Sequence, residues 1–191
     1  MSALQRHLAS PDITLETHVR CCHAALAEEL RPRRVIYLDT KYWIILRDIV
    51  ANVRTADPEV ELLGVLRGLV SAGKAFCPLS ESTFAEMLKQ SDERTRIATA
   101  KVIDELSLGV SLIPFEQRVA MELRNFIYGQ CRDLGAPEPL RLPWTKLSYV
   151  LGVMHPHETA FDASTELAIQ KAFFDVVNGR VKAVHTDKGT V

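Results

Sequence analysis

No stretch of the sequence approaches the roughly 18 consecutive apolar residues that a membrane helix needs. The amino terminus, M-S-A-L-Q-R-H-L-A-S-P-D, lacks the apolar h-region of a secretory signal, so a cytoplasmic protein with no membrane partner is expected. Charge of one sign is also missing. The 23 Lys and Arg are matched by 24 Asp and Glu, for a formal net charge of -1. Such a chain has no bulk attraction for nucleic acid, and any phosphate contact must come from a local cluster of Lys and Arg. The four cysteines, Cys21, Cys22, Cys77 and Cys131, form no C-x-x-C pair. Reduced, packed thiols are expected. No Gly-rich turn follows a strand-like run, which argues against the usual phosphate cradle. Internal repeats and low-complexity segments are absent as well.

What remains is a chain of 191 residues, 47% hydrophobic and 25% charged. That is the composition of one ordinary domain with a real core. Ser10-Pro11-Asp12 suits a helix start, with Leu15, Val19, Cys22, Leu26 and Leu30 recurring at helical spacing up to Arg31-Pro32. A strand follows at about Arg34 to Leu38. Tyr42, Ile45, Leu46, Ile49 and Val53 then form the apolar face of a helix. Asp57-Pro58 opens another, packed through Leu62, Leu63, Leu66, Leu69 and Val70, with Gly73 as its stop. A second strand fits Ala75 to Leu79, and Ser80 caps a helix from Glu81 to Gln90. Ser91-Asp92 caps the next, carrying Ile97, Val102, Ile103 and Leu106 and ending near Gly109. Val110 to Ile113 is a third strand. The helix after Pro114 bears Val119, Leu123, Phe126 and Ile127 on one side. Residues 135–143 form a proline-rich loop, and Trp144 to Val153 fits helix or strand equally. A last helix spans Ser164 to Asn178, with Gly179 as its stop, and Val181 to Thr186 is a fourth strand. Strands separated by helices predict an α/β fold with a parallel sheet and helices on both faces.

In such a fold, chemistry gathers at the carboxyl ends of the strands. Asp39 ends the first strand, and Glu86 lies early in the helix after the second, so both side chains reach one crevice if the strands are neighbours. Asp187 ends the fourth strand at the same edge, and Asp162 precedes the last helix. Clustered carboxylates repel and need a cation. Oxygen-only ligands favour Mg²⁺ or Mn²⁺ over Zn²⁺. Each acid also has a plainer reading. Asp39 suits a helix N-cap, Glu86 a solvated helix position, Asp162 a cap and Asp187 a surface turn. His155 and His157, beside Glu158, lack further ligands at zinc spacing. Trp43 reads as core. Lys41, Arg47 and Lys188 are the basic residues placed to meet a phosphate.

The segments V-I-Y-L-D-T-K-Y-W and C-P-L-S-E-S-T-F-A-E-M-L resemble the opening motifs of the PIN-domain family. More loosely, F-D-A-S-T-E-L-A and V-H-T-D-K are similar to its later acidic motifs. The resemblance implies a three-layer α/β/α sandwich with a parallel central sheet over residues 33–191. It would carry an insertion at about 135–160 and an N-terminal helical extension over 1–32. It further implies a Mg²⁺- or Mn²⁺-dependent endoribonuclease with Asp39, Glu86, Asp162 and Asp187 as metal-binding catalytic acids. Asp175 and Glu166 stand in reserve for the third acid. Thr40 and Lys41 would contact RNA. Small members are often toxins held by an antitoxin, so such a protein, or a second copy of the chain, is an expected partner. The alternative is an inactive scaffold of the same kind that binds RNA or protein.

Overall fold

The computed structural model describes residues 1–53, 57–130, 143–150 and 160–186. Helix accounts for 69% and strand for 7% of it. The expected three-layer sandwich with a parallel central sheet is therefore not the architecture. The order of elements along the chain is close to the expected one, but the strands are too short to make that sheet.

Two helices precede the first strand where one was expected. Helix α1, Ala3–Leu8, starts in a capping box in which the Ser2 and Gln5 side chains serve each other's backbone N–H. Helix α2, Leu15–Leu30, is capped by Thr14 and not by Ser10: the Thr14 hydroxyl accepts from the Thr17 N–H. Ser10 and Pro11 lie in the turn between the two helices. Strand β1, Arg34–Val35, pairs in parallel with β2, Ala75–Phe76. The second strand stops early for a physical reason. The Cys77 N–H bonds to Leu106 O at the end of a helix, and Pro78 has no N–H to give. Leu79 makes one isolated parallel bridge to Ser111. Strand β3, Val110–Leu112, instead pairs antiparallel with β4, Trp144–Lys146. The ambiguous Trp144 region is thus a strand running directly into the short helix α8, Leu147–Val150.

Helices α3 (Thr40–Val50), α4 (Asp57–Ser71), α5 (Glu81–Leu88) and α6 (Glu93–Ser107) surround the main core. Trp43, Leu46, Cys77, Leu79, Val102 and Leu106 are fully buried there, as expected for Trp43. Burial pushes the Cys77 thiol up to about 11, so it is a packed apolar group and not a nucleophile. Cys21, Cys22 and Cys77 carry no disulfide. Helix α4 ends as the sequence predicts, with Gly73 at φ +68°. Helix α6 ends in two successive left-handed residues, Leu108 and Gly109. A smaller cluster joins Leu26 and Leu30 to Phe76 and Val110, with the Trp144 ring edge-on to Phe76 at 5.3 Å.

Helix α7, Phe115–Gln130, departs from expectation. Val119, Leu123, Phe126 and Ile127 form the predicted apolar row but are exposed, Phe126 by 64%. Tyr42, Val53 and Ile97, also read as inward-facing, are exposed too. The last helix, α9, spans Ala163–Thr186 and runs straight through Gly179. The expected fourth strand is therefore its final turns. Helices α1 and α2 pack on α9. The Lys171 ammonium, fully buried, holds them there by donating to Ser10 O and Ile13 O at 3.0 and 2.9 Å. Among the described residues no helix is long and apolar enough to cross a membrane.

Candidate functional site

Asp39 lies between the last buried residue of the β1 segment, Leu38, and the first turn of α3. Its backbone is extended, with φ -67° and ψ 155°, and its side chain is the N-cap, accepting from the Thr40 N–H at 2.8 Å. The plainer expectation for Asp39 is thus met. It does not exclude the sharper one, because a capping carboxylate keeps oxygens facing solvent. Helix α5 is capped in turn by Ser80, whose hydroxyl accepts from the Thr83 N–H. Glu86, five residues into that helix from Glu81, comes to the start of α3. There the Thr40 hydroxyl donates to Glu86 Oε2 at 2.8 Å.

A residue 46 positions away is thereby tied to the group next to Asp39. The expected crevice is an open surface: Asp39, Lys41 and Glu86 are exposed and Thr40 is half-buried. Two tyrosines that motif reasoning passed over flank the acid in sequence. Tyr37, 55% exposed, donates to the Ser80 hydroxyl at 3.2 Å, and Tyr42 is 45% exposed. Tyr37 was legible in principle, since it stands two residues before Asp39, on the same side of an extended run. Arg47, a candidate for meeting phosphate, is instead held by its neighbour Asp48 at 2.6 Å.

Of the remaining expected acids, Asp162 is described and forms no cluster with Asp39 and Glu86. Asp162 stands at the start of α9 and accepts from Ser164 N–H, Thr165 N–H and the Thr165 hydroxyl. The Thr165 hydroxyl and N–H hold its carboxyl below the usual range. Asp187, Lys188, His155, His157, Cys131 and the loop 135–142 lie outside the described residues. Glu166 accepts from Gln170 within α9. Among the described residues, neither Asp39 nor Glu86 belongs to a group of three His, Cys, Asp or Glu within the reach of one ion.

One such trio does exist elsewhere. His7 Nε2 and His18 Nε2 each lie 2.8 Å from an oxygen of Asp175. Asp175 was noticed as a reserve acid; the histidines were not. His7, His18 and Asp175 sit on three different helices, α1, α2 and α9, and the linear trace is His18 and Cys22, one helical turn apart on α2. Nearby, His23 Nε2 meets the Thr145 hydroxyl at 2.8 Å, and burial lowers its pKa to about 4, so it is neutral.

No family model, no curated protein and no solved structure matches the chain.

Proposed function

We propose that the chain hydrolyses RNA phosphodiester bonds with a divalent ion, Mg²⁺ or Mn²⁺, at Asp39 and Glu86. The observation that carries the reading is the Thr40–Glu86 hydrogen bond, which ties Glu86 to the residue beside Asp39 on an exposed surface. The donors available there are two carboxylates and a hydroxyl. Oxygen-only donors suit a hard ion that keeps several of its waters. When bound, the ion would lower the pKa of a coordinated water and offset charge on the phosphodiester.

The protein's own contributions follow from its surface. Asp39 and Glu86 would hold the ion from one side. Thr40 fixes the Glu86 carboxylate, so its orientation does not have to be found at the moment of reaction. Lys41 supplies the positive charge for a phosphate, and Tyr37 and Tyr42 offer ring faces for unpaired bases, which favours a single-stranded substrate. The resemblance to PIN-domain motifs supports the same reading, independently of the missing sheet. A cytoplasmic setting with an antitoxin-like partner over the crevice, or a second copy of the chain, fits this function.

A second reading is favoured by the count of acids. Two carboxylates hold a hydrated Mg²⁺ weakly, and the crevice would then bind RNA or protein without cutting. Cleavage of end-labelled RNA by the wild type, Asp39→Asn and Glu86→Gln separates the two. Asparagine caps a helix about as well as aspartate, so Asp39→Asn keeps its fold while losing a metal-binding charge. Metal-dependent cleavage lost in both variants, with unchanged circular dichroism, supports hydrolysis. RNA binding with no cleavage at saturating metal favours the scaffold, and equal cleavage by all three proteins sinks the proposal.

A further inference from the structure

We propose that His7, His18 and Asp175 form a binding site for a transition-metal dication, with Zn²⁺ the ion that the donor set fits best. This does not rest on the nuclease reading, since the trio shares no residue with the Asp39 crevice. The ligand atoms come from α1, α2 and α9 and all lie within 4.8 Å of one another. Both histidines present the same atom, Nε2, to the same carboxylate, one to each oxygen. Their rings meet edge-on at 4.7 Å, so both can turn a nitrogen toward one point.

The distances suit an ion after a small adjustment. Two nitrogen or oxygen ligands at ~2.1 Å on a tetrahedral zinc are ~3.4 Å apart, and on an octahedral ion ~3.0 Å. The observed 2.8 Å separations are those of hydrogen bonds, so entry of the ion requires each histidine to withdraw by about half an ångström. A fourth position is left to water or an outside ligand: Cys22 Sγ is 3.7 Å from His18 Nε2 but is not among the ligand atoms that all lie within 4.8 Å of one another. Asp175 and Cys22 also line a cavity of about 310 Å³ with Arg6, His23 and Asn178, which gives water or a small ligand a way to the ion.

Ligand chemistry decides the identity. Two imidazoles and one carboxylate suit zinc and its first-row neighbours, whereas Mg²⁺ and Ca²⁺ prefer oxygen alone. The histidine side chains are 13% and 16% exposed and the Asp175 side chain 24%. The site is thus shielded enough for the ion's charge to be felt, and open enough to load. A bound ion at Asp175 would join the N-terminal helices to α9 one helical turn along from the Lys171 contact, adding to the packing that already joins them.

The test uses the full-length chain stripped with a chelator. Zn²⁺ is titrated by calorimetry, and Co²⁺ is used as a spectroscopic stand-in whose visible bands report coordination number. The expected result is one ion per chain, a four-coordinate Co²⁺ spectrum, and displacement by Zn²⁺ but not by excess Mg²⁺. His18→Gln and Asp175→Asn should weaken Zn²⁺ binding about a hundredfold or more. Glu105→Gln, at the surface ion pair with Arg67 and outside both sites, should leave it unchanged. Asp175→Asn can still hydrogen-bond both rings after a change of tautomer, so its fold is expected to survive; circular dichroism checks this. No stoichiometric Zn²⁺ binding by the wild type, or equal binding by folded His18→Gln and Asp175→Asn, would overturn the proposal and leave a His–Asp–His hydrogen-bonded clasp.

Discussion

Asp39 and Asp175 are both carboxylates on which a polar cluster closes, but their surroundings differ. Asp39 stands exposed at the first turn of α3 and accepts from the very next residue. Asp175 is 24% exposed between α1, α2 and α9, and its partners are 168 and 157 residues away in sequence. The first arrangement is local, so it leaves a trace in the sequence, and it stays wet. The second exists only once three helices have packed. Water competes for the bonds of the first and much less for those of the second. The histidine seam should therefore matter more to stability, and the acid crevice more to chemistry.

The largest expected effect that would sharpen this contrast lies beside the seam, where His23 of α2 meets Thr145 of β4, and is read by pH. His23 is neutral in the folded protein, with a pKa lowered by burial to about 4 from 6.5. The unfolded chain takes up its proton near 6.5, and the folded chain resists until about 4. The stabilisation is therefore complete above pH 6.5 and is lost as pH falls toward 4, by up to about 3 kcal/mol. Chemical denaturation at pH 7 and pH 4.5 should show a steeper acid loss in the wild type than in His23→Gln, which can still reach the Thr145 hydroxyl. Parallel losses would mean that His23 is not shielded as the structure has it.

Next comes Asp175→Ala in metal-free protein, which removes the acceptor from two half-buried rings. Leaving such donors unpaired costs about 2–3 kcal/mol, seen as a lower midpoint in urea. Asp39→Ala should cost less, about 1 kcal/mol, the usual effect of losing a helix N-cap. If Asp39→Ala proves the more damaging of the two, the assignment of stability to the seam and chemistry to the crevice fails.

The same distinction explains how much could be read in advance. Local signals survived: Ser80, Asp92 and Gly73 cap or stop helices where turn chemistry predicts. Leu106 is core because helical spacing places it with other large apolar residues, and Trp43 because it lies in the apolar helix after the first strand. Tertiary choices did not survive. The run from Ala75 to Leu79 has strand composition, yet Cys77 bonds to the end of α6 and Pro78 cannot donate, so a five-residue strand becomes two residues and a bridge. The row on α7 has the periodicity of a buried face, but periodicity says only that a face exists, not that anything covers it. Gly179 was read as a stop, although a glycine inside a long packed helix costs only about 1 kcal/mol relative to alanine. Within the crevice, motif spacing brought Asp39, Thr40 and Glu86 forward because each follows a strand-like run. The seam was hidden because nothing in the sequence relates residue 7 to residue 175.

The smallest expected stability effect isolates the bond on which the crevice depends. Thr40→Val keeps the shape and β-branching of the side chain and removes only the hydroxyl. The bond it makes to Glu86 is exposed, and water replaces it almost in full, so the midpoint should move by no more than about 0.5 kcal/mol. Activity should respond differently. Without the hydroxyl the Glu86 carboxylate samples several rotamers, and a loosely held ligand binds the ion and positions water less well. Metal-dependent RNA cleavage should then fall about tenfold or more, and partly recover at higher Mn²⁺. A Thr40→Val protein as stable and as active as the wild type would show that the two acids need no fixed orientation. It would also withdraw the hydrogen bond as support for catalysis, leaving the crevice better explained as a binding surface.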